Sequence, residues 1–116
     1  MDGYYSNIQV FIVDGLSIRN DLDIDYTMGG NWARYTFIPE NQIWIDSCLV
    51  PDDKLATLMH ELTELSWMAE GLSYDDAHDL ANISEKLIRE WCITEQIKVT
   101  DDNIKELFNK YIDLQQ

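Results

Sequence analysis

At 116 residues the chain has room for about one domain with one core, because a chain of this size buries only about two-thirds of the surface its unfolded form exposes. Lys and Arg number 8 against 22 Asp and Glu, and the resulting charge of −14 repels phosphate backbones and anionic lipid. Direct nucleic-acid and membrane binding are therefore disfavoured, whereas divalent cations and basic protein surfaces remain suitable partners.

The opening "MDGYYSNIQVFIVDG" has no basic or long apolar region of the kind a secretory signal needs, and no run approaches the roughly 18 apolar residues of a membrane span. Cys48 and Cys92 are too few for a disulfide scaffold and read as two buried thiols in a reducing cytoplasm. The first 48 residues read mainly as strands. Ile8 to Val13 is a β-branched run closed by an Asp14-Gly15 turn signal. In "DLDIDY", Leu22, Ile24 and Tyr26 alternate with aspartates at the period of a strand. A calcium loop starting at Asp21 fails, because its sixth position would be Tyr26 and its twelfth Trp32. Met28 to Asn31 then reads as a turn, and "WARYTFI" and "QIWID" as the arms of a hairpin.

Helices follow. Pro51 with Asp52 and Asp53 opens one over 51–71, Ser73 with Asp76 caps a second over 73–95, and a third spans 100–114. The expected fold is α+β: a small antiparallel meander sheet, then a helical hairpin and a C-terminal helix, in one domain. Trp32, Trp44 and Trp91 are expected in the core, with Trp67 set apart on the side of His60.

The first long helix contains "LMHELTEL". Leu55, Leu58, Met59, Leu62, Leu65 and Ala69 form one apolar stripe, and His60 and Glu64 point roughly opposite it. An imidazole and a carboxylate four residues apart have the separation one metal ion wants. Glu61 lies beside them, where a general base would act on water next to the ion. The plain alternative is a solvated polar face with a weak ion pair. Reflecting the chain across the Gly71–Ser73 turn makes a cluster of His60, Glu64, His78 and Glu85 available. One obstacle is visible: Leu80, Ile83, Leu87 and Trp91 make an apolar face largely opposite His78, Asn82 and Glu85. A shared ion thus requires the helices to cross on their flanks, through Ala77, Ala81 and Ser84.

"QIWID", "LMHELTE" and a carboxylate on the next helix resemble the core of zincin metallopeptidases, whose gluzincin branch reads His-Glu-Leu-Thr-His and takes a third ligand from a glutamate about twenty residues on. That resemblance implies Glu85 as a ligand and Glu61 as a catalytic base; Glu64 stands where the second histidine is expected, which weakens zinc binding relative to two imidazoles and leaves the site friendlier to Mn or Fe. Segments from Val13 to Glu85, among them "FIPENQIWID" and "GLSYDDAHDLAN", also look like a family of small phage and mobile-element proteins regarded as metal-binding. The expectation is a zincin-like protein with one divalent ion, Zn before Mn or Fe, and a protein or peptide substrate. The alternative is a non-catalytic acidic protein, such as a viral inhibitor in the host cytoplasm, that docks on a basic host protein surface.

Overall fold

The computed structural model describes residues 8–22 and 28–115, with side chains as far as residue 110. Element order is β1 (Gln9–Val13), α1 (Gly15–Asp21), β2 (Gly29–Asn31), β3 (Gln42–Asp46), α2 (Pro51–Ala69), α3 (Tyr74–Thr94) and α4 (Ile104–Gln115). The fold is α+β, but its sheet is mixed and not an antiparallel meander. Strand order is β1-β3-β2, with β1 parallel and β2 antiparallel to β3. The apolar strand takes the centre: Ile43 and Ile45 are fully buried. The short, glycine-rich β2 takes an edge, where weak strand formers cost least.

Three local readings change for identifiable reasons. Asp14-Gly15 starts a helix, because the Asp14 carboxylate accepts from the Leu16 N–H and the Ser17 hydroxyl and caps α1. Gly15 lets the backbone approach the Asp46 carboxylate, which a Cβ at this position would displace. Met28–Asn31 is mostly strand, and "WARYTFI" is a looped connection. The Asn31 side chain accepts from the N–H groups of Ala33 and Arg34, which diverts the backbone from a ladder into turns. Of "DLDIDY", Asp21 ends α1 and Leu22 caps it, while residues 23–27 lie outside the described residues.

α2 is the axis of the molecule. Leu55, Leu58, Leu62 and Leu65 are at most 1 % exposed and join Ile43, Ile45, Val99, Ile104 and Phe108 in the core. Ala69, assigned to the same stripe, is exposed. The tryptophans fit the core only in part: Trp32 and Trp91 are half-buried and pack against it, Trp44 is half-buried and Trp67 is exposed. Cys48 is an exposed free thiol and Cys92 a half-buried one, so the pair is not buried as expected. Pro51 and two aspartates in the first turn suit the start of α2, and Gly71, at φ 101°, turns the chain after its end. Ser73 caps α3 by accepting from the Asp76 N–H, and the short turn folds α3 back along α2. Their seam is built on small residues: Ala77 and Ala81 are fully buried. Ile88 also packs into the core, whereas Ile83 and Leu87 face outward, 57 % and 58 % exposed. The helices therefore cross on the flank that a shared site requires. No helix among the described residues is long and apolar enough to cross a membrane.

Candidate metal centre

Because α3 packs along α2 and Asn31 of β2 reaches Glu64, the expected wet face is closed. Glu64 is 2 % and Glu61 5 % exposed, and the His60 side chain keeps 13 % of its surface. Reflection across the turn brings His78 onto Glu64. His60 Nε2 lies 2.8 Å from Glu64 Oε2, His78 Nδ1 lies 2.6 Å from the same oxygen, and the two nitrogens are 3.1 Å apart. Among the described residues, these three form the one group of three metal-competent donors within 4.8 Å.

Without an ion, both nitrogens can donate to the one carboxylate oxygen, which accepts two hydrogen bonds. The same three atoms, with their protons removed, all offer lone pairs to a cation at the focus. Donors about 2.0–2.1 Å from zinc stand about 3.3 Å apart in a tetrahedron, so only a slight opening is required.

Glu85 reaches the cluster from the other side. Its Oε1 lies 3.1 Å from His60 Nδ1, outside the donor triangle. A proton on Nδ1 held by Glu85 leaves Nε2 with its lone pair toward the triangle, which is how an outer carboxylate orients a ligating imidazole. Arg89 braces Glu85 at 3.4 Å while bonding Asp53 at 2.7 Å. Arg89 does not line the cavity. Tyr74 does line it, with its hydroxyl 3.4 Å from His78 Nδ1. Trp67 is not part of its wall.

The cavity measures about 310 Å³ and is lined by His60, Glu61, Glu64, His78 and Glu85 among others. Burial raises the Glu64 carboxyl, but the hydrogen bonds and charges of His60 and His78 outweigh it and hold it below the usual range. Burial lowers His60, and the Glu64 hydrogen bond with the charges of Glu61, Glu64 and Glu85 more than reverses that. Glu61 is pushed up to about 8, by burial first and then by the charge of Glu64. Its Oε2 is buried with no hydrogen-bond partner.

Sequence reasoning missed Asn31. This fully buried amide donates to Glu64 Oε1 at 3.4 Å while its own oxygen holds the 31–34 turn. The available signal was an asparagine beside two glycines, a composition poorly suited to an ordinary strand. No family model, curated protein or solved structure matches the chain.

Proposed function

We propose that the protein holds one divalent ion on His60 Nε2, Glu64 Oε2 and His78 Nδ1, and that the cavity beside it is a hydrolytic site with Glu61 as the acid–base group. The observation that carries this is the donor triangle, in which three metal-competent atoms from two helices converge on one point. Two imidazoles and one carboxylate are the donor set of thermolysin-type zinc sites, here with the carboxylate four residues after the first histidine and the second histidine on the next helix. Zinc is the first choice, and the carboxylate admits Mn or Fe. Such an ion supplies Lewis acidity and makes water a better nucleophile.

The chain supplies the rest. Glu85 orients His60, Asn31 steadies Glu64, and α3 excludes water from one side of the cluster. Glu61 sits one residue from His60 in the cavity wall, and a neighbouring cation would draw its raised pKa down toward a working value. Elemental analysis of protein purified without chelator should show about one metal ion per chain, and His60→Ala should lose it. Equal, near-zero metal in both proteins would sink the site. Glu61→Gln should keep the metal and abolish peptide hydrolysis.

One observation favours a second reading. The exposed Ile83 and Leu87 of α3 stand near exposed Asp76, Asp79 and Glu90, a surface suited to a basic, partly apolar partner protein. In that reading the metal only braces the helical hairpin. Metal-loaded protein without hydrolysis, together with saturable binding of a basic amphipathic peptide that Leu87→Asn weakens, would favour it over the enzyme.

A further inference from the structure

A second cavity, about 250 Å³ in volume, opens between the start of α2 and the end of α3 and shares no lining residue with the cavity of the metal group. Leu55 and Ala56 of α2 line it together with Ile88 and Cys92 of α3. The remaining wall is made by the chain that leaves α3. Gln96 takes a left-handed backbone conformation, φ 56°, and the N–H groups of Gln96 and Ile97 donate to the carbonyls of Ile93 and Cys92 at 3.2 and 2.9 Å. These two bonds are those of a Schellman helix ending, in which the residue after the turn commonly packs back on the last turn of the helix. Here Ile97 and Cys92 both border the cavity, as does Val99.

The interior is apolar and the charge stands at one side. Leu55, Ala56, Ile88 and Val99 belong to the core, whereas Asp52 is exposed and Ile93 is 78 % exposed, so these two mark the open side. Among the described residues that line the cavity, Asp52 and Arg89 carry the charges. The Arg89 guanidinium already faces two carboxylates, Asp53 at 2.7 Å and Glu85 at 3.4 Å. The Asp52 carboxylate has no hydrogen-bond or ion-pair partner among the described residues. Its field reaches inward: burial first, and then the charge of Asp52, push the Cys92 thiol up. The net charge of −14 on the chain adds to this negative potential.

Size and lining together select a ligand class. An apolar cavity of about 150 Å³ is enough for benzene, so this one has room for a ring and a short arm. Apolar surface supplies most of the affinity in such a site, and a small number of polar groups fix orientation. The polar group on offer is a carboxylate, which repels an acid and attracts an ammonium group.

We propose that this cavity binds a small apolar amine, with its ring or branched chain among Leu55, Ala56, Ile88 and Val99 and its ammonium group at Asp52. The site is separate from the metal group and does not depend on it.

The test uses the full chain in EDTA and reads the methyl NMR signals of Leu55, Ile88, Ile97 and Val99, which locate binding at this cavity. Probes are 2-phenylethylamine, 2-phenylethanol and phenylacetate, which share a ring and a two-carbon arm. All titrations run to the solubility limit. The amine should shift these methyls saturably, with an affinity about two- to fivefold above the alcohol and about tenfold above the acid at low salt, as expected for an ion pair open to solvent. Asp52→Asn should bring the amine to the affinity of the alcohol, and Asp52→Lys should put the acid first. Asp52 is exposed, so neither change disturbs the core. Three results would overturn the proposal: no saturable shift of these methyls with any probe, equal affinities of the three probes in the parent protein, or an amine preference that survives in Asp52→Asn.

Discussion

Two buried carboxylates, Asp46 at the end of β3 and Glu64 in the middle of α2, show how similar burial serves different ends. Asp46 is 4 % exposed and Glu64 2 %. Asp46 accepts from the Cys48 and Gly15 N–H groups and from Arg19 at 3.0–3.3 Å. Burial raises its pKa, and those donors more than reverse the effect. Its partners hold protons that they do not readily release, so the charge is settled by the fold itself. Glu64 meets two imidazoles and one long contact to the Asn31 amide. Imidazoles can exchange their protons for a metal ion, which is why we propose Glu64 as part of a site, whereas Asp46 is part of a joint.

The sharpest way to break this comparison is to neutralise each carboxylate. Glu64→Ala should lower zinc affinity by more than about 100-fold, beyond the 10–100-fold usual for an outer partner. Asp46→Asn should leave zinc stoichiometry unchanged and cost about 1.5–3 kcal/mol in urea unfolding, the worth of hydrogen bonds to a charged group. Equal zinc binding by the parent and Glu64→Ala would remove the distinction.

Metal should reveal the difference in stability too. At zinc concentrations about 100-fold above Kd, the melting free energy should rise by about 2.7 kcal/mol, and EDTA should reverse it. Asp46→Asn should show the same rise from a lower start, while Glu64→Ala should show none. Smaller effects come from the outer shell: Glu85→Gln should weaken zinc about tenfold, because His60 loses the carboxylate that fixes its tautomer. Titration calorimetry measures that change.

The smallest effect concerns protons in metal-free protein. Asp46 and Glu64 are held below the usual range, so their contribution to stability is present above about pH 4.3 and is lost as pH falls through their folded values. Glu61 has the opposite sign. With a folded pKa of about 8, its contribution is full below about pH 4.3 and is lost as pH rises toward that value. His60, also raised, loses its contribution above about pH 6.5. Metal-free protein should therefore lose up to about 1.4 kcal/mol per pH unit for each such group between pH 5 and 8. Glu61→Gln should flatten that slope and leave the acid limb in place. An unchanged alkaline slope in this variant would show that Glu61 does not titrate as described.

The chain's local chemistry determined much of this protein. Apolar spacing at Leu55, Leu58, Leu62 and Leu65, together with Pro51, Gly71 and Ser73, was enough to locate α2, α3 and the turn between them. That turn, with the helical rise, was also enough to bring His60, Glu64, His78 and Glu85 into one neighbourhood, because these relations extend over only 26 residues of continuous chain. Tertiary structure decided what no period encodes. The central place of β3 depends on competition among strands for burial. The dryness of Glu61 and Glu64 depends on α3 packing through Ala77, Ala81 and Ile88 while Ile83 and Leu87 face outward. The division of labour we propose, with His78 as donor and Glu85 as orienting partner, turns on which nitrogen of His60 each one meets, a matter of a few ångströms between side chains on different helices. Asn31 enters the site from a strand 33 positions before Glu64, and only the packing of β2 against α2 brings it there.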